Sequence, residues 1–124
     1  MSRLILSIII VSFNTKDVLK KCDLVLGSFH KFPGKDKYMP LLRKLLSKKE
    51  IDVWAHPFRI LNINKINVDA KEMIEAIDLC IKNNVIIEDC IKYPNKKLVD
   101  LARSKGANIV VGLDAHSIDE IKRF

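Results

Sequence analysis

Five short, mostly apolar runs, each followed by a segment of different periodicity, constrain this chain more than any other feature. They are Leu4 to Phe13 (LILSIIIVSF), Asp23 to His30 (DLVLGSFH), Ile51 to Phe58 (IDVWAHPF), Val85 to Cys90 (VIIEDC) and Asn108 to Ser117 (NIVVGLDAHS). Near-continuous Ile- and Val-rich sequence is what a strand carries when both faces of its sheet are covered. The segments between them read as helices. Asn14 or Thr15 caps a short one through Cys22, and Leu41, Leu42, Leu45 and Leu46 stripe another from about Tyr38 to Lys49. Ala70, Met73, Ile74, Ile77, Cys80 and Ile81 repeat at helical spacing between a cap at Asn67 or Asp69 and an end near Asn84. Asn95 caps a helix over Lys96 to Lys105 with Gly106 as its left-handed stop, and Ser117 to Glu120 reads as the capping box of a last helix. Lys31 to Lys37 is a loop turning at Pro33-Gly34, and Arg59 to Ile66 reads as irregular.

Strand and helix alternating five times demand a parallel sheet joined by right-handed crossovers. Two architectures satisfy this: an open doubly wound sheet and part of a barrel. In both, ligands sit at the carboxyl ends of the strands. With 124 residues, 48% of them hydrophobic and 30% charged, the chain suits one globular domain with a real core.

The polar residues that close the apolar runs are therefore the candidates for chemistry. They are His30, His56, Glu88, Asp114 and His116, and all three histidines of the chain are among them. Asp114 and His116, two apart on an extended backbone, point to the same side. An imidazole and a carboxylate converging at the mouth of a parallel sheet suit a divalent metal. A lone histidine after an apolar run is more often a hydrogen-bonded structural residue. Three in register, joined by an aspartate, favour a metal or acid-base site. Of Glu88 and Asp89 only one can face that site, because neighbours on a strand alternate. Lys31, Lys35 and Arg59 follow the first two histidine positions and are candidates for binding a phosphate, against the plainer reading of surface charge. Cys90 reads as a buried, inert thiol. No nucleophile elbow, P-loop or dinucleotide fingerprint is present.

The formal charge of +7 and pI near 9.4 invite a nucleic-acid reading. The lysines, however, fall in scattered pairs (Lys20-Lys21, Lys48-Lys49, Lys96-Lys97) without interleaved aromatics, so no nucleic-acid face is expected. A milder attraction for anionic substrates remains. Cys22, Cys80 and Cys90 are odd in number, irregularly spaced and free of a CxxC motif, which points to a reducing, cytoplasmic setting. Leu4 to Phe13 is too short to cross a bilayer, and no small-residue cleavage site follows it, so neither membrane nor export is expected.

Taken in order, DLVLGSFH, WAHPFR (Trp54 to Arg59) and GLDAHS (Gly112 to Ser117), with VIIEDC between the last two, resemble the second half of a PHP domain, the polymerase and histidinol phosphatase family. The resemblance runs from about Asp23 to Ile121. It implies an α/β fold: a partial (β/α) barrel of the PHP type, with about five parallel strands alternating with helices. It also implies a cofactor, a divalent metal such as zinc, manganese or iron. His30 resembles the ligand of the family's GS-x-H segment, His56 that of its HP segment, and Asp114 and His116 the paired ligands of its final D-x-H segment, in which Leu113 stands where Ser is more frequent. The implied activity is that of a metal-dependent phosphoesterase, hydrolysing a phosphorylated small-molecule substrate with metal-activated water.

Family members begin with a strand ending in H-x-H, followed by further His and Asp ligands and a bridging Glu. This chain has no histidine before His30, and Ser12 or Asn14 stands where that Glu would fall. The expectation is a single truncated PHP-like domain over residues 1–124, weakly active or inactive alone. The alternative is a non-catalytic metal-binding or interaction module derived from a PHP domain. Open first and last strands would favour self-association. Leu6 to Cys22 also resembles the opening strand and helix of family 2 glycosyltransferases, but no D-x-D motif follows it.

Overall fold

The computed structural model of the chain describes residues 5–9, 24–29 and 31–112, with residues 5–9, 24 and 25 as backbone alone. Strands β1 (Ile5–Ile9), β2 (Leu24–Ser28), β3 (Val53–Trp54), β4 (Ile86–Cys90) and β5 (Ile109–Gly112) form one sheet in the order β1-β2-β3-β4-β5. Every adjacent pair is parallel. Each strand is laid beside its predecessor and the order never reverses. A doubly wound sheet carries such a reversal, and none occurs among the described strands. Among the described residues β1 and β5 each pair on one side only.

Four helices are described: α1 (Lys35–Leu46), α2 (Arg59–Ile63), α3 (Ala70–Asn83) and α4 (Lys96–Ser104). Tyr38, Leu42, Leu45 and Leu46 of α1, Met73, Ala76, Ile77 and Cys80 of α3, and Leu98 and Ala102 of α4 share one core with Trp54 and Ile87. The helices thus cover one face. Leu26, Val53 and Ala55, with Ile86 and Val110 against them, make a second, smaller cluster. Strand alternation explains the division: Val53 and Ala55 point away from the helices, and Trp54 between them points toward them. The face carrying Leu26, Val53, Ala55, Ile86 and Val110 is called the inner face below.

Local chemistry fixes the helix ends where the sequence placed them. At the start of α3 the Glu72 N–H donates to Asp69 Oδ1 (2.8 Å) and the Asp69 N–H donates to Glu72 Oε1 (3.3 Å), a reciprocal capping box. Asn84 ends the helix with a left-handed φ of 57°. The Leu98 N–H donates to Asn95 Oδ1 (3.2 Å) at the start of α4, and Gly106, at φ 80°, takes the chain out of it.

Other boundaries differ from expectation. α1 begins at Lys35 rather than Tyr38, and its buried stripe runs through Tyr38, Met39, Leu42, Leu45 and Leu46. β3 keeps only Val53 and Trp54 of the run to Phe58. The stretch from Arg59, expected to be irregular, opens with α2. Gly27 faces α1. A Cβ there would lie 2.9 Å from Leu45 Cδ1 and 3.1 Å from Ile51 Cδ1. The expected helix through Cys22 and the one after Ser117 lie outside the described residues.

Two polar contacts tie α3 to α1. The Arg43 Nε and Nη2 groups donate to Glu75 Oε2 (2.7 Å) and Oε1 (3.0 Å), and Asn83 Nδ2 donates to Leu46 O (3.1 Å). The hydrogen bond to Arg43 holds the Glu75 carboxyl below its ordinary value. Its stabilisation is present above the usual carboxylate range and lost as pH falls through the lowered value. Both side chains are largely in water, so this contact aligns the helices more than it stabilises them. Among the described residues no helix is long and apolar enough to cross a membrane.

Gly27→Val forces Leu45 and Ile51 apart and should destabilise the fold by about 1–3 kcal/mol. Asp69→Ala, which removes one half of the capping box, should cost about 1 kcal/mol. Urea unfolding followed by circular dichroism measures both.

Candidate functional site

The site is built where β3 stops. The Ala55 N–H donates to Gly27 O (2.9 Å), and the chain then leaves the ladder in a turn with His56 at φ 30° and Phe58 at φ 60°. Positive φ at a residue with a side chain costs on the order of 1–3 kcal/mol and persists only where the surroundings over-determine it. Two contacts do so here. The Phe58 ring, 1% exposed, packs edge-on against Trp54 (centroids 4.9 Å apart) and against Tyr38 (5.9 Å), with Phe29 on Tyr38 in turn (5.2 Å). Burial raises the Tyr38 phenol well above its ordinary value, only partly offset by a hydrogen bond with the Phe58 backbone. On the opposite side of the turn the His56 N–H donates to Glu88 Oε1 at 2.7 Å.

Glu88 is 4% exposed and shares the inner face of β4 with Ile86, whereas its neighbour Asp89 faces the other way and is half-buried. Its carboxyl group reaches His56, just past β3, and also lies over Gly112 of β5, where an added Cβ would overlap the carboxylate. Alternation foresaw that one of the two acids faces this side; the structure identifies Glu88.

Arg59 and Tyr93 complete the group. The Arg59 guanidinium carbon lies 3.7 Å from the centroid of the Tyr93 ring, a cation–π contact, and the Tyr93 ring meets the His56 imidazole edge-on at 6.3 Å. Arg59 is half-buried, and its Nε has no hydrogen-bond partner among the described residues. Tyr93 carried no signal in the sequence: it is a single aromatic in a turn, and its role depends on two residues more than thirty positions earlier. Lys31 and Lys35 are exposed, in the loop before α1 and at its first residue.

The structure therefore brings His56, Arg59, Glu88 and Tyr93 together at the carboxyl ends of β3 and β4. His30, Asp114 and His116 lie outside the described residues. Among the described residues no group of three or more His, Cys, Asp and Glu side chains is placed to hold a metal ion. Of the residues brought together, His56 carries the imidazole, a nitrogen donor of the kind a divalent ion takes, while the Glu88 carboxyl group is engaged with the His56 N–H. Ser28 adds a buried hydroxyl, 1% exposed, at the carboxyl end of β2, with no hydrogen-bond partner for its Oγ among the described residues.

The thiols stand apart from this chemistry. Cys80 and Cys90 are both buried and form no disulfide, and burial pushes the Cys80 thiol up to about 12. A neutral, enclosed thiol is a poor nucleophile. Mass spectrometry of native protein treated with a thiol reagent at pH 8 should find both residues unmodified, and both labelled once the chain is unfolded. Compared with protein-family models and with curated proteins, the chain finds no match in either.

Proposed function

We propose that the carboxyl end of this sheet is the site of a metal-dependent phosphoesterase of the PHP type, set in a partial (β/α) barrel and acting on a phosphorylated small molecule. The supporting observation is that buried His56 and buried Glu88 meet at the carboxyl ends of adjoining strands in a parallel sheet whose order never reverses. Sequential order is how a barrel is wound, and barrel enzymes work at that end.

In this reading His30, His56, Asp114 and His116 hold the divalent ion, whether zinc, manganese or iron. Such an ion supplies Lewis acidity toward the phosphoryl group and a water of lowered pKa. Arg59, its guanidinium over the Tyr93 ring, is the cation beside His56 that would bind phosphoryl oxygens. Lys31 and Lys35 add positive charge beside His30, and the net charge of +7 favours approach of an anionic ester. With three histidines in the whole chain, the ligand set is smaller than the family's, so slow turnover is part of the proposal. Cys80 and Cys90, neither in a disulfide, suit a reducing, cytoplasmic setting, and the pairing of β1 and β5 on one side only among the described residues supports self-association.

Purified chain incubated with zinc, manganese or ferrous ion, then desalted, should retain metal by elemental analysis and hydrolyse p-nitrophenyl phosphate. His56→Ala should abolish turnover, and Arg59→Ala should raise KM more than it lowers kcat. Metal uptake without hydrolysis would identify the non-catalytic metal-binding module, and failure to retain any of the three ions would overturn the reading. Light scattering should detect a species larger than the monomer; a monodisperse monomer would count against self-association.

A further inference from the structure

We infer that Glu88 is a positioning residue: through the His56 N–H it holds the backbone of His56 in the conformation that sets where the imidazole stands, and it is not a metal ligand. The consequence for metal binding rests on the phosphoesterase reading; the geometry does not.

The argument starts from the backbone. At φ 30°, His56 is outside the regions that residues with a Cβ ordinarily occupy, so something other than local preference keeps it there. Its N–H falls where the chain has left the β3 ladder, and the residue is 2% exposed. A buried N–H at such a point needs an acceptor, and Glu88 Oε1 is that acceptor at 2.7 Å.

The neighbouring strand is built to allow it. The Glu88 carboxyl group occupies the space where a side chain at position 112 would begin, so Gly112 is the residue that lets the carboxylate lie flat across the strand ends and reach His56. Gly112 adopts no left-handed backbone that would otherwise demand glycine. Its bareness is explained by Glu88. Three segments of chain thus converge on one hydrogen bond: the turn after β3 donates, β4 accepts, and β5 makes room.

The test compares Glu88→Gln, Glu88→Ala and Gly112→Ala with the unaltered chain, reading the His56 amide by 15N-resolved NMR and zinc affinity by calorimetry. Gln keeps an oxygen acceptor at the same reach, so it should leave both the His56 amide shift and zinc affinity close to those of the unaltered chain. Ala at position 88 removes the acceptor and Ala at position 112 displaces it. Each should move the His56 amide upfield and weaken zinc binding by roughly 10–100-fold. Gly112→Ala alters neither partner of the hydrogen bond, so it carries the test if Glu88→Ala fails to fold.

A Glu88→Gln protein that binds zinc as poorly as Glu88→Ala, with its His56 amide unmoved, would make Glu88 a ligand and overturn the inference. So would an unmoved His56 amide in Gly112→Ala. If the unaltered chain takes up no zinc, the phosphoesterase reading fails by itself, and the amide shifts of the metal-free variants still decide whether Glu88 positions His56.

Discussion

A carboxylate taken out of water is tolerated only where the protein returns the hydrogen bonds it has lost. Glu88 accepts the His56 N–H on the inner face of the sheet, which also carries the apolar cluster of Leu26, Val53, Ala55, Ile86 and Val110. The ladder between β3 and β4 ends at Trp54, and the next residue, Ala55, gives its N–H to Gly27 O of β2, so His56 is the first residue past that backbone pairing. The Glu88 side chain takes over that task, so the candidate site depends on one charged group replacing main-chain hydrogen bonding where main-chain hydrogen bonding ends.

The aromatic wedge on the other side of the same turn joins the site to the main core. Phe58 enters a row of rings from Trp54 on the sheet to Tyr38 on α1, and Tyr38 lies in one stripe with Leu42 and Leu45. Residues 55–58 are therefore pinned from both faces, by a hydrogen bond within and by ring packing without. Arg59 follows directly, so the position of its guanidinium over Tyr93 inherits the rigidity of the turn. A shift of α1 against the sheet would be felt at His56 through this chain of contacts.

What the sequence disclosed was largely what is decided locally. A cap at Asn67 or Asp69, and Asn95 with Gly106, mark helix ends through local chemistry, and α3 and α4 begin and end close to where those residues place them. The alternation of runs yielded the parallel sheet, and the polar closures of those runs yielded His56 and Glu88. The features that stayed hidden are decided by distant neighbours. Gly27 is bare because of Leu45 and Ile51, and Gly112 because of Glu88. α2 follows a left-handed Phe58 that no local preference would select. In the site, Tyr93 was unreadable for the same reason: an aromatic in a turn acquires meaning only from what folds onto it.

The unreversed strand order also bears on how such a molecule assembles. Among the described residues, every strand after β1 pairs with the strand just before it, separated from it by one connecting segment. No strand waits for a later one to be inserted between itself and a finished neighbour. Short loops close with less entropy loss than long ones, so the sheet can grow by extension at a single advancing edge, in the direction in which a ribosome releases the polypeptide.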